Sequence, residues 1–150
     1  MTRDALVTVE HRRIGAIDVD NARILQMDGL PGFPNARSFA LVAGDGTSPF
    51  AWLASLDDLD LAFAVLEPSE LLTNYAPRPN ANDLRAVDAT HPSEVAWLVL
   101  VNVQADDVYV NLAAPILVNE AKSRAAQIVL ADASLPLRTP LRLGAPPPRA

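Results

Sequence analysis

The densest apolar stretch of the chain lies between Val95 and Val103, where Trp97, Leu98, Val99, Leu100, Val101 and Val103 form a β-branched run that ends at the polar turn Gln104-Ala105-Asp106-Asp107. Val108-Tyr109-Val110-Asn111-Leu112, Pro115-Ile116-Leu117-Val118-Asn119 and Gln127-Ile128-Val129-Leu130 follow at short intervals. Brief apolar runs separated by turn-like gaps predict an antiparallel meander in which at least one strand is buried on both faces. The remaining elements are expected to pack on this sheet.

Upstream, Leu6-Val7-Thr8-Val9 alternates as a short strand, Ile14-Gly15-Ala16-Ile17-Asp18-Val19 returns against it, and Ala22-Arg23-Ile24-Leu25-Gln26-Met27 supplies a third. Asp28-Gly29-Leu30-Pro31-Gly32-Phe33-Pro34 predicts a rigid turn with Leu30 or Phe33 plugging the core, because its glycines and prolines exclude a helix. Phe39-Ala40-Leu41-Val42 and Phe50-Ala51-Trp52-Leu53-Ala54 flank Gly44-Asp45-Gly46 as a hairpin. After the interruption Leu56-Asp57-Asp58-Leu59-Asp60-Leu61, the strand Ala62-Phe63-Ala64-Val65-Leu66 ends before Pro68. Helix is expected only as single turns at Ser69–Leu72, Asn82–Val87 and near Glu120–Ala126. The fold class that follows is mostly β, one antiparallel or mixed domain with one to three very short helices. It is expected to span residues 1–141, with residues 142–150 as a flexible Pro-rich tail around Pro146-Pro147-Pro148.

At 150 residues, half of them apolar, the chain can form one domain burying roughly two thirds of its unfolded surface. No apolar run reaches bilayer length and Met1-Thr2-Arg3-Asp4 lacks a signal-peptide layout, so a cytoplasmic protein is expected. The absence of cysteine excludes disulfides, thiolate zinc sites and cysteine nucleophiles. Charge is unevenly distributed. Five acids match five bases up to Arg37, twelve acids face only Arg78 and Arg85 from Ser38 to Ala121, and five bases oppose Asp132 thereafter. These segments carry 0, −10 and +4 of the net −6. An acidic middle opposes nucleic-acid binding and favours a basic protein partner, although solvated loops alone would look the same.

Little in the chain supports catalysis. His11, followed by Arg12-Arg13, and His91, before Pro92, read as surface histidines rather than bases for a hydroxyl nucleophile. Gly-x-Ser-x-Gly, His-Glu-x-x-His and Walker patterns are absent, and Gly44-Asp45-Gly46 lacks the further glycine and lysine of a phosphate loop. Asp57-Asp58-Leu59-Asp60 lacks the glycine and distant glutamate of a calcium hand and reads as an acidic strand connection. Arg12-Arg13 and the series Arg138, Arg142, Arg149 have no interleaved aromatics for nucleic acid; Arg138 and Arg142 are expected to bridge to the acidic middle. No catalytic, cofactor or metal residue is assigned. Two alternatives stay open: a small-ligand barrel with Trp52 or Trp97 in a pocket, and a hydrolase using two facing carboxylates.

Three motifs in order resemble the FliW family of flagellar assembly factors: Gly29-Leu30-Pro31-Gly32-Phe33; Phe50-Ala51-Trp52-Leu53-Ala54-Ser55-Leu56-Asp57-Asp58 with Leu61-Ala62-Phe63 and Pro68; and Asn111-Leu112-Ala113-Ala114-Pro115-Ile116-Leu117-Val118-Asn119. Gln127-Ile128-Val129-Leu130 and Pro136-Leu137-Arg138 extend the likeness, which covers roughly Val9 to Leu141. The chain departs from the family where Gln26-Met27-Asp28 replaces an aromatic-proline-acidic approach and where Leu135 stands in place of a common tyrosine.

The resemblance implies a compact barrel-like β fold and a non-enzymatic role without cofactors. It also implies two protein partners, flagellin and the RNA-binding translational regulator CsrA, exchanged so that flagellin synthesis follows export. The free protein is expected to be monomeric, with no direct contact to nucleic acid or membrane. The partner surface is expected in the acidic loops, at Asp57, Asp58 and Asp60 first and at Asp106 and Asp107 second, with a purely structural turn as the competing reading. Asn111 and Asn119 are expected to terminate strands within the fold. Leu30, Phe33, Trp52, Phe63, Trp97 and Ile116 are the core candidates.

Overall fold

The long apolar run becomes β7, Ala96–Gln104, and both edges of this strand are paired. The computed structural model describes residues 6–11, 15–20, 24–27, 36–43, 50–68, 75, 77–104, 107–130 and 139–140. Among the described residues six strands precede β7: β1 (Leu6–His11), β2 (Gly15–Asp20), β3 (Ile24–Met27), β4 (Ser38–Ala43), β5 (Phe50–Ser55) and β6 (Ala62–Leu66). The helix α1 (Ala81–Ala86) leads towards β7, and β8 (Asp107–Val110), β9 (Ile116–Asn119), β10 (Arg124–Gln127) and β11 (Thr139–Pro140) follow it.

One edge of β7 pairs with β6, Val99, Leu100 and Val101 standing opposite Leu66, Val65 and Ala64. The other edge is divided between two partners. Ala96, Trp97 and Leu98 pair with Val118, Leu117 and Ile116 of β9, whereas the stretch from Val101 to Gln104 pairs with Val110 back to Asp107 of β8. Between these ladders five residues, 111–115, face only Val99 and Leu100. The excess chain forms a crank. Leu100 O accepts from Asn111 N–H at 3.1 Å, and Asn111 Oδ1 accepts from the N–H groups of Ala113 and Ala114, each at 3.1 Å. A side-chain oxygen thus replaces the lost ladder partner, as Asx turns do. The expected simple meander is corrected here, because β9 returns to β7 rather than pairing with β8.

Strands β7, β6, β5, β4, β3, β10 and β9 are neighbours in that order, and the β9–β7 ladder closes them into a seven-stranded barrel. Closure depends on a short parallel ladder, Arg124 opposite Gln26 and Ala125 opposite Met27, with Gln26 N–H donating to Ser123 O at 2.9 Å. The fold is therefore the mostly β, barrel-like class expected, of the mixed kind. β8 and β11 extend outward from β7, and β1–β2 form a separate hairpin opened by Gly15 at φ +85°.

Strand alternation sorts side chains between the barrel interior and its outer layers. Leu25, Met27, Phe39, Leu53, Val65, Ile116, Val118 and Ala125 form the buried interior cluster, joined by half-buried Phe63, Leu98 and Leu100. Phe39 and Phe63 meet with ring centroids 6.3 Å apart and planes inclined by 47°. β9 is buried at every position, since Ile116 and Val118 face inward while Leu117 packs outward against Leu84 and Val87 of the α1 region. Ile116 and Phe63 are thus interior residues, as expected. Trp52 is not: it alternates with the interior residue Leu53 and is half-buried on the opposite face. Trp97 belongs to the outer cluster beneath α1. Leu30 and Phe33 lie outside the described residues, as do Ser69–Leu72, residues 44–46 and the tail.

The helix expected from Asn82 to Val87 is α1, closed at both ends by local chemistry. Asn80 Oδ1 accepts from Asp83 N–H at 2.8 Å and Asp83 Oδ2 accepts from Asn80 N–H at 2.9 Å, a capping box. At the other end Asp88 adopts φ +59°, so that Ala89 N–H reaches Leu84 O at 2.8 Å and Asp88 N–H reaches Arg85 O at 3.1 Å. The short helix expected over Glu120–Ala126 shrinks to a 3-10 turn, Glu120–Lys122. Ser123 at φ +55° ends it, and Arg124 onward is captured between two strands.

Candidate functional site

The first acidic loop singled out in the sequence and the described ends of the second, Gln104 and Asp107, lie at one end of the barrel. β6 and β7 are antiparallel with Ala64 opposite Val101, so the entry to β6 and the exit from β7 lie at the same end of neighbouring strands. The first follows the turn Ser55–Leu61 and the second ends at Gln104, opposite Asp107 of β8. Asp57, Asp58 and Asp60 are all exposed. Asp107 is placed by its backbone as the first residue of β8, opposite Gln104, and Asp106 lies outside the described residues.

The first loop is held by its own polar groups. Ser55, fully buried at the end of β5, has an Oγ that accepts from Asp58 N–H at 2.9 Å and Asp57 N–H at 3.2 Å. Asp57 Oδ2 accepts from Ser38 N–H at 2.7 Å and Arg37 N–H at 2.8 Å, fastening the loop to the start of β4. Asp58 Oδ1 accepts from Asp60 N–H at 3.0 Å. Leu61 O receives Ser55 N–H at 2.9 Å, and the same oxygen lies 3.1 Å from His11 Nε2. The carboxylates therefore have structural duties, Asp57 above all, while their charge remains at the surface.

His11 corrects the surface reading given to both histidines. It is 3 % exposed and fastens the β1–β2 hairpin to the acidic loop, whereas His91 is exposed. Ser55 was the other participant that sequence reasoning passed over. Its signal was present as a serine placed two and three residues before adjacent aspartates, a spacing at which a hydroxyl can accept from the backbone of a turn.

The remaining polar groups with resolved partners act on the framework. Trp97 Nε1–H donates to Pro77 O at 3.0 Å and Tyr75 O–H to Leu112 O at 2.6 Å, pinning the proline segment over the barrel. Burial pushes the Tyr75 phenol up to about 12. Glu94 is held below the usual carboxylate range, first by the Thr90 backbone N–H, then by the Thr90 hydroxyl, with a smaller contribution from His91. Asn119 is buried, and its Nδ2 donates to Val87 O at 3.0 Å, tying β9 to the turn after α1. Asn111 acts through the crank already described. Neither tryptophan is presented to a barrel lumen, so the small-ligand reading gains no support from them. Among the described residues no group of three His, Cys, Asp or Glu is placed to hold a metal, and no helix is long and apolar enough to cross a membrane.

These features define a small closed β-barrel protein with an acidic, internally braced end. The family model for FliW protein matches residues 8–141, and the chain belongs to the FliW family. Among its relatives, the flagellar assembly factor FliW of Syntrophus aciditrophicus is 37% identical over 129 residues, spanning 84% of this chain and 82% of that protein. Flagellar assembly factor FliW 2 of Desulfotalea psychrophila is 33% identical over 131 residues, spanning 86% and 87%. A crystal structure of the flagellar assembly factor FliW superposes with a TM-score of 0.81 at 27% identity, covering 91% of this chain and 98% of that one.

Proposed function

We propose that this chain is a cytoplasmic, non-catalytic flagellar assembly factor that binds flagellin and a CsrA-type RNA-binding regulator in exchange. Membership of the FliW family over residues 8–141 carries this reading. While unexported flagellin is abundant it occupies the protein. Once flagellin leaves the cell, the freed protein engages the regulator, weakens its hold on messenger RNA and lets flagellin synthesis follow export.

The physics offered for the antagonism is electrostatic. RNA binding relies on neutralising phosphates, and a protein of charge −6 beside the RNA site repels the ligand within a Debye length of about 8 Å. A coupling of about 1–3 kcal/mol lowers RNA affinity about 5- to 150-fold. Asp58 and Asp60, exposed on a braced turn, are the first candidates for the surface that faces a basic partner.

Calorimetry with the purified protein and each partner separately is the test. Binding to both, with flagellin displacing the regulator, supports the proposal; absence of binding to either overturns it. In a ternary titration, inhibition of RNA binding should fade with added salt while the protein complex persists. Inhibition unchanged by salt would replace repulsion with a contact-driven rearrangement.

A further inference from the structure

We draw no further inference here: the strongest candidate, the surface patch at Val129, 78% exposed on the segment after β10 next to half-buried Leu130, whose N–H reaches Ala113 O, carries nothing because no feature of the structure shows what covers it.

Discussion

The carboxylate of Asp57 accepts the backbone N–H of Ser38 at 2.7 Å, a bond that crosses from the acidic turn to the first residue of β4. The neighbouring N–H of Arg37 reaches the same oxygen at 2.8 Å. A charged acceptor with two backbone donors is among the stronger surface interactions a fold can make. Asp57→Ala is therefore expected to lower stability by about 1–2 kcal/mol in urea unfolding, the range for hydrogen bonds to charged groups after allowance for exposure. The exposed control Glu120→Gln should cost less than about 0.5 kcal/mol, as exposed substitutions usually do. Equal losses from both variants would contradict the bracing role of Asp57.

Asn111 sits where β7 changes partner, and its side-chain oxygen serves two N–H groups. Asn111→Ala should destabilise by about 1–2 kcal/mol, comparable with losing a helix cap. Asn111→Asp keeps the acceptor and should retain most of the stability. Asn111→Leu, close in volume but without the acceptor, separates this from simple loss of volume: in chemical denaturation it should fall with alanine, and a leucine variant as stable as aspartate would refute the role of the oxygen.

Asp88 holds a left-handed conformation at φ +59° while its carboxylate lies 3.7 Å from the exposed ammonium of Lys122. The ion pair is worth about 0–1 kcal/mol and the conformational relief offered by glycine is of similar size. Asp88→Gly is accordingly expected to leave the melting temperature nearly unchanged. Asp88→Val should lower stability by about 1–2 kcal/mol, because a β-branched side chain resists that backbone. A glycine variant less stable than the valine variant would refute the account.

The Tyr75 phenol, pushed up by burial from its ordinary value to about 12, links stability to alkaline pH. Its contribution is fully present below the unfolded value and is lost as pH rises through the folded one, because the unfolded chain releases the phenolic proton first. Spectroscopic titration should show one tyrosine ionising well above the free phenol, and Tyr75→Phe should abolish that transition. Its persistence in the phenylalanine variant would assign it elsewhere.

The apolar runs made β5 to β9 legible, because each contrasts with a polar turn, and the family motifs drew attention to the Asn111–Asn119 segment. Side-chain patterning did not reveal which partner each half of β7 takes, since an apolar run looks alike beside β8 or β9. The closing ladder between β3 and β10 registers only two residue pairs, too few to leave a periodic trace. The arginines after His11 argue only against its protonation, and its partner, Leu61 O, lies far along the chain, so its burial leaves no local trace. Trp52 is a core candidate in the sequence, yet strand parity gives the interior to Leu53. The acidic stretch Asp57–Asp60 was legible as a loop. Its meeting with Gln104 and Asp107 at one end depended on strand order, which no local pattern encodes.

The crank between β8 and β9 also limits how the gene can change length. A one-residue insertion or deletion between Val110 and Ile116 that the crank did not absorb would slip the β9 register by one, turning Leu117 and Asn119 into the lumen and expelling Ile116 and Val118. Such a frame of odd length places an amide among interior hydrocarbon side chains, whereas a two-residue change preserves the faces. Length changes that slip the β9 register should therefore be tolerated only in even steps.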